Sequence, residues 1–362
     1  MNQARFLGKL GMTFLSVDYG YLCITTYFTR RPFPMQITVF STKPFERAYL
    51  SEALEPAHSL RFVEDNLSAD TAALAQGTKA VAIFSTDDAS APVLDALWAA
   101  GVRCLAVRAT GHDQVDLARA HELGLRVANV PEYSPHAIAE HAVALMLALN
   151  RRLRQADRQL RAYDFRLDEL IGFDLHGKTV GIVGLGHIGG VVARILHGFG
   201  CRLLGHDPKP NPELAAQLNL TYTTLDDLLA QADIVTLHAP MTPHAPYLLD
   251  AARLARMKRG AMLINTSRGA ELDTAAALDA LDSGRLGYLG LDVYEGEKAL
   301  FFRDHRGQPP TDALFARLLT YPNVLVTGHQ AYLTEEALTH IAATTRSNLD
   351  GWAAGQPSAN EL

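Results

Sequence analysis

Cysteine is scarce in this 362-residue sequence, which holds only Cys23, Cys104 and Cys201. An odd count, with two of the three in apolar strand-like runs, argues against a disulfide framework and for small core side chains in a reducing, cytoplasmic setting. CxxC and HExxH are absent, so no metal site is expected. No apolar run reaches the ~18–20 residues of a membrane span. Arg5 and Lys9 precede the apolar stretch GMTFLSV, but Asp18 interrupts it and no small-residue cleavage site follows, which argues against a secretory signal. An excess of positive charge is also missing. With 33 Lys and Arg against 39 Asp and Glu, the net charge of −6 makes no case for nucleic acid or an anionic membrane as partner. What is present, 48% hydrophobic and 20% charged residues, is the make-up of a globular protein.

The length exceeds one ordinary core, so two domains are expected. Residues 1–34 have no clear period and end in the breakers RRPFP; they read as an extension or start-site artefact ahead of Met35, or else as an accessory segment. From there strands and helices alternate. Strands are expected at 36–41, 59–63, 79–84, 102–107 and 126–129, and helices at 43–54, 70–76, 91–100 and 115–123. Ser90 and Pro92 start the helix 91–100 and Gly101 stops it. A long apolar helix, 134–150, is capped by Ser134 with Pro135 behind it, and a charged helix, 151–163, follows. Residues 178–327 repeat the alternation, with strands at 179–183, 201–206, 220–223, 233–237, 261–265, 286–291 and 323–326. A last helix, 334–352, returns to the first domain. The expectation is an α/β protein of two Rossmann-like or flavodoxin-like domains with parallel sheets. The discontinuous first domain spans 35–133 and 331–362, the second spans 134–330, and the active site lies in the cleft between them.

One stretch anchors that second domain. Gly181–Gly190 reads GIVGLGHIGG and sets Gly184, Gly186 and Gly189 in the spacing G-x-G-x-x-G, after an apolar strand and before an amphipathic helix. The first glycine permits the tight turn, the second lets the backbone approach a pyrophosphate, and the third lets helix and strand pack closely. The helix N-terminus then faces the phosphates with free N–H groups. The second strand ends at Asp207, eighteen residues after Gly189, where an acid accepts hydrogen bonds from the ribose hydroxyls of NAD and repels the 2′-phosphate of NADP.

Ligands of an open α/β sheet bind beyond the carboxyl ends of its strands. Three segments end there with chemistry attached: MLINTSRG with Arg268, LDVYEGE with a cluster of carboxylates, and VLVTGHQ with His329. Singly, each has a bland reading as a surface arginine, a solvated acidic loop or a satisfied loop histidine. Together they meet one requirement. Hydride transfer to a 2-oxo acid needs a cation for the carboxylate, an acid for the ketone oxygen and a carboxylate that keeps the acid protonated.

From Met35 onward the chain resembles the D-isomer-specific 2-hydroxyacid dehydrogenases, in VRATGHDQVDL, VPEYSPHAIAEHAVALMLALNRR, GKTVGIVGLGHIG, LHAPMT, INTSRGAELD, GLDVYEGEKALFF and VTGHQAYLTEEAL. FFRDH and TGHQAYLT are marks of the family's fermentative lactate branch. The resemblance implies reversible, NAD-dependent reduction of pyruvate to D-lactate by a homodimer or homotetramer. It implies Arg268 as the substrate-carboxylate arginine, His329 as general acid/base, and Glu297, rather than Glu295, as the carboxylate paired with that histidine. Tyr133 and Tyr332 resemble pocket aromatics, and Ala109, Thr110 and Gly111 the loop whose amides bind the carboxylate. His187 and Ile188 fall in the pyrophosphate turn. His238, Ala239, Pro240, Thr266 and Ser267 fall on the nicotinamide-ribose side, and Asp292 matches a contact to the nicotinamide amide. Ala239 departs from the cysteine frequent in the lactate branch. Three alternatives stay open: a bulkier 2-oxo acid such as phenylpyruvate or 2-oxoisocaproate, glyoxylate, or a non-enzymatic NAD-sensing role. Formate oxidation is disfavoured, because that relative pairs its histidine with Gln.

Overall fold

The computed structural model describes residues 34–240 and 247–362. The expectations about residues 1–34 and Cys23 fall almost wholly outside the described residues. The chain divides into two compact units: one runs to Pro131 and resumes at Ile341–Leu362, and the other is Glu132–His340.

The first unit is built on a five-stranded parallel sheet. Its elements are β1 (Gln36–Val39), α1 (Pro44–Leu54), β2 (Ser59–Phe62), β3 (Ala80–Ile83), α2 (Ala91–Ala99), β4 (Cys104–Val107), α3 (Leu117–Leu123) and β5 (Arg126–Ala128). The strand order β2-β1-β3-β4-β5 is that of a flavodoxin-like sheet. β3 and β4 are buried along their whole length, as continuous apolar runs in a parallel sheet must be. Residues 70–76, expected as a helix, close only as a 3-10 turn, Ala72–Ala75. Gly77 follows at φ +84, a left-handed geometry that a helix cannot continue through. Cys104 is a buried residue of β4, and burial raises its thiol pKa to about 11, so it behaves as an inert core side chain. The returning segment packs Ala342, Leu349 and Trp352 against Ile37, Val39 and Leu50.

The second unit begins with α4 (Pro135–Asn150), α5 (Leu153–Arg161), β6 (Thr179–Val183), α6 (His187–Gly198), β7 (Arg202–His206), α7 (Pro212–Leu218), β8 (Thr221–Tyr222), α8 (Leu225–Gln231) and β9 (Ile234–Leu237). It continues with α9 (Ala251–Arg256), β10 (Ala261–Asn265), α10 (Thr274–Asp282), β11 (Leu286–Leu291), α11 (Glu297–Leu300), α12 (Ala313–Leu318), β12 (Val324–Val326) and α13 (Glu335–Ala353), which runs on into the first unit. The seven strands are parallel in the order β12-β11-β10-β9-β6-β7-β8. The order reverses between β6 and β9, so the carboxyl end of β6 is the switch point where ligands of such sheets bind. Ser134 caps α4 by accepting from the Ala137 amide, and Val143, Met146 and Leu149 carry that helix into the core beside β6 and α6. The segment 331–340, expected with the first domain, is tied to the second: the Ala331 amide donates to Asp292 and His340 Nδ1 lies 2.7 Å from the Tyr133 carbonyl.

At the switch point the glycines do separate jobs. Gly184 has φ +87, and a Cβ there would stand 2.5 Å from the Ala239 nitrogen. A Cβ on Gly189 would stand 1.9 Å from the Gly184 carbonyl oxygen, so only glycine lets α6 approach β6. A Cβ on Gly186 would meet nothing within 4 Å, which leaves the mouth of the turn open.

Candidate active site

His329 follows β12 in a left-handed conformation (φ 54), an unusual place for a residue with a side chain. Asp292, just past β11 and 1% exposed, holds it there. The His329 amide donates to the Asp292 carbonyl at 2.8 Å, and the Gln330 and Ala331 amides donate to its two carboxylate oxygens at 2.9 and 2.8 Å. The Thr327 hydroxyl donates to Asp292 Oδ1 at 2.5 Å. With that hydrogen committed, Thr327 Oγ1 serves as acceptor for His141 Nε2 at 3.0 Å. Burial pushes the Asp292 carboxyl up, but the bonds from His141, Thr327 and the two amides outweigh it, and Asp292 stays ionised below the ordinary range.

The orientation of the His329 ring comes from Glu297, at the start of α11. Nδ1 lies 2.9 Å from Glu297 Oε1, while Glu297 Oε2 accepts from the Tyr294 amide at 3.0 Å. A ring that donates through Nδ1 presents Nε2 as its working nitrogen. Burial pushes the imidazole pKa down and Arg268 opposes its charge; the hydrogen bond and charge of Glu297, with the charge of Asp292, prevail, so His329 titrates above an ordinary histidine. The ring is 24% exposed, with Phe302 and Tyr332 at 6.0 and 6.4 Å between centroids. Tyr133 stands edge-on to Tyr332 at 6.2 Å. Phe302, in the run FF, is therefore part of the wall around the histidine.

Arg268 follows β10. Asn265, the last residue of that buried strand, shapes the turn, with Nδ2 donating to the Arg268 carbonyl at 2.8 Å and Oδ1 accepting from the Ser267 amide at 3.0 Å. Gly269 then presses on the loop before α11; a Cβ there would stand 2.2 Å from the Tyr294 carbonyl carbon. The turn that carries Arg268 and the loop that carries Glu297 are thus in backbone contact. The competing acid, Glu295, is engaged elsewhere, by the Tyr247 hydroxyl at 3.1 Å and the Thr274 amide at 3.3 Å.

The residues expected to hold NAD gather at the switch point. Asp207 Oδ2 accepts from the Leu185 amide and Oδ1 from the Lys209 amide, both at 2.7 Å, which fixes the acid beside the glycine turn. His187, exposed at the start of α6, has Nδ1 3.0 Å from Glu132 Oε2, and Ile188 is half-buried behind it. The fit to a dinucleotide is visible in buried polar atoms that lack hydrogen-bond partners, His238 Nδ1 past β9 and Thr266 Oγ1 past β10. Burial pulls the His238 pKa down to about 3, so its ring is neutral, with Nε2 2.8 Å from Thr236 Oγ1. Ser267 Oγ donates to the Ala239 carbonyl at 2.5 Å, and Pro240 follows, exposed. Ala109, Thr110 and Gly111 belong to the first unit, where Thr110 Oγ1 donates to the Val130 carbonyl and the Thr110 carbonyl accepts from Asn129 Nδ2.

Residues 143–331 match the family described as D-isomer specific 2-hydroxyacid dehydrogenase, NAD binding domain. The chain belongs to the D-isomer-specific 2-hydroxyacid dehydrogenases, and its second unit carries their NAD-binding domain. Within the family it is 50% identical to a D-lactate dehydrogenase of Curvularia clavata, over 91% of this chain and 95% of that one. It is 45% identical to the D-lactate dehydrogenase of Escherichia coli, over 91% and 100%. The solved pyruvate reductase of Chlamydomonas reinhardtii superposes with a TM-score of 0.86 at 44% identity, covering 91% of this chain and 99% of that one.

Sequence reasoning missed His141, Thr327 and Glu271. His141 lies 186 residues from its partner Thr327. Glu271, in the NTSRGAELD segment, is 3% exposed, which acidic character would not suggest.

Proposed function

We propose that this protein is an NAD-dependent D-lactate dehydrogenase that reduces pyruvate reversibly to D-lactate. The observation that carries the reading is the Glu297–His329 pair, locked at 2.9 Å, beside a turn that presents Arg268. NADH, when bound at the glycine turn, supplies the hydride. Arg268 grips the substrate carboxylate and polarises the ketone. His329 Nε2 gives a proton to the ketone oxygen as negative charge develops there, and takes it back in the reverse direction. Glu297 stabilises the imidazolium before transfer. Tyr133, Tyr332 and Phe302 restrict the space beside the ring, which suits a small 2-oxo acid. The role of Ala109, Thr110 and Gly111 as amide donors to the carboxylate, and of Asp292 as a nicotinamide contact, rests on the resemblance.

The test is NADH consumption with pyruvate, chiral analysis of the product, and kcat/KM against phenylpyruvate, 2-oxoisocaproate and glyoxylate. D-Lactate with pyruvate preferred is expected; L-lactate, no turnover or a larger preferred acid overturns the reading. A homo-oligomer in the cytoplasm is part of the same proposal. Tyr163, Phe165, Leu167 and Ile171 are 85%, 68%, 72% and 77% exposed on one stretch, an apolar surface that a second copy would cover. Sedimentation velocity distinguishes dimer or tetramer from monomer.

Glu297→Gln changes the pH profile in a definite direction. Reduction requires protonated His329, and its rate falls as pH rises through the raised pKa of that group. Without the Glu297 charge, burial and Arg268 lower that pKa, so the alkaline limb moves to lower pH. The variant is expected to lose about 10- to 100-fold in kcat at pH 8 and to recover at acid pH. A uniform loss across the profile would show that Glu297 does something else.

A further inference from the structure

Arg108 is the largest fully buried side chain among the described residues, 2% exposed, and the reaction above leaves it unused. It stands between the end of β4 and the loop 109–111. A guanidinium keeps its charge at any ordinary pH, so burying it is costly unless its donors are met. Four of its five N–H groups are met here. Nε and Nη2 donate to Glu46 Oε2 and Oε1 at 3.3 and 2.9 Å, Nη1 donates to the Ala82 carbonyl at 2.8 Å, and Nη2 also donates to the Phe40 carbonyl at 3.0 Å. Glu46, 4% exposed in the first turn of α1, accepts from the Lys43 amide at 3.1 Å as well. Asp87, the other buried acid nearby, is occupied by the Ser41 hydroxyl and the Leu67 and Phe84 amides at 2.5, 2.7 and 2.6 Å. Glu46 is therefore the carboxylate that meets the fork.

In the sheet order β2-β1-β3-β4-β5 the chain reverses between β1 and β3, and the crevice at the carboxyl end of such a point is where ligands of open sheets bind. Phe40 follows β1 and Ala82 lies in β3, so the Arg108 fork bridges that crevice from one strand to the other. The next loop keeps its donors free. Among the described residues, none of the Ala109, Thr110 and Gly111 amides donates to an acceptor. On the β5 side the loop is held by its carbonyls: Ala109 accepts from the Val130 amide at 3.2 Å, and Thr110 from Asn129 Nδ2 at 2.8 Å. On the β3 side it is held through Arg108, whose own amide donates to the Ile83 carbonyl at 2.9 Å. We propose that Arg108 is a positioning residue: its fork, fastened to Glu46, Phe40 and Ala82, fixes the loop 109–111 so that the free amides meet the substrate carboxylate already ordered. A planar fork reaches acceptors on β1, β3 and α1 at once, which a single-point cation does not. Ordering the donors beforehand removes that cost from substrate binding.

The proposal rests on the proposed role of those amides, and Arg108→Lys tests it, because Lys keeps the charge and loses the fork. With the 2-oxo acid that the enzyme turns over best, KM is expected to rise about tenfold, kcat to fall by less than about threefold, and NADH affinity to stay within about twofold. A residue that only stabilised the fold would lower Tm and leave the KM of the folded enzyme alone, so an unchanged KM, or a loss shared equally with NADH affinity, overturns the proposal. Arg108→Met leaves Glu46 buried without its partner and is expected to melt well below the wild type. The double variant Arg108→Met with Glu46→Gln removes both charges; it is expected to regain most of that Tm and none of the KM. A double variant with wild-type KM would show that charge burial, and not the fork, set the loop. A further readout needs no substrate. Hydrogen exchange of the Val130 amide, which donates to the Ala109 carbonyl, is expected to quicken about tenfold in Arg108→Lys; unchanged exchange overturns the hold on the loop. If the wild type reduces no 2-oxo acid, the proposed function fails and the carboxylate role of the loop with it, whereas quickened exchange at Val130 still shows that the fork fixes the loop.

Discussion

His329→Gln is expected to lower kcat for pyruvate reduction about a thousandfold or more while leaving NADH affinity within about twofold. General acid catalysis by a positioned side chain contributes about 10²- to 10⁴-fold, and this histidine is more constrained than most. Its backbone is held at φ 54 by three hydrogen bonds to Asp292, from its own amide and the next two. Its ring is held by Glu297 at 2.9 Å. Those bonds prepay the ordering of the acid, so the loss on substitution is a loss of chemistry. Gln can still hydrogen-bond Glu297 and fill the space, but it has no proton to give. The pH dependence assigned to His329 should disappear with it. NADH titration by fluorescence and steady-state kinetics from pH 5.5 to 9 check both parts. A variant that keeps most of the wild-type kcat would remove His329 as the acid.

The glycine turn was legible in the sequence because backbone geometry dictates it. Gly184 and Gly189 stand where any Cβ would strike backbone atoms, and the flanking strand and helix have periods that side-chain burial imposes. The inner strands β3, β4, β6, β9 and β10 were legible for a related reason: parallel strands buried on both faces read as short apolar runs. Arg268, Glu297 and His329 were legible as chemistry at strand ends, in motifs resembling a known family, and the structure brings Glu297 and His329 into contact. What supports them was not. The carboxylate of Asp292 serves residues 35 to 39 positions away, and His141 reaches the same network from α4. Such contacts follow from the crossover that lays β12 beside β11, which no local pattern encodes. The four-residue helix α11 was hidden in an acidic cluster, where charge looks like a solvated loop. Glu271 was hidden because a charged residue is expected at the surface, and only the backbone contact of Gly269 with Tyr294 and Glu295 explains why its turn folds inward.

Arg268→Gln is expected to raise KM for pyruvate by about a thousandfold and to lower kcat by a smaller factor. Removing one partner of a buried, hydrogen-bonded charge pair costs about 2–5 kcal/mol, and about 1.4 kcal/mol is one decade. With Arg268 in its proposed role, the larger share falls on KM because the substrate carboxylate is charged before and after the reaction, so the arginine would hold it in ground and transition state alike. The smaller share falls on kcat because the arginine also polarises the ketone, where charge develops only in the transition state. Arg268→Lys separates the two. Lysine restores the charge without the planar fork, so KM should recover by about tenfold while the carboxylate, held at one point, lets the ketone drift from His329. The turn itself should survive both changes, since Asn265 organises it through the Arg268 carbonyl and the Ser267 amide, to which the guanidinium adds one hydrogen bond to the Ser267 carbonyl at 3.1 Å. Removing the guanidinium also removes a charge that opposes protonation of His329. The alkaline limb of the Arg268→Gln profile should therefore move to higher pH, opposite to its movement in Glu297→Gln. Opposite displacements of one limb by two substitutions are what a single histidine between an acid and an arginine requires. Displacements of the same sign would mean that the limb belongs to another group.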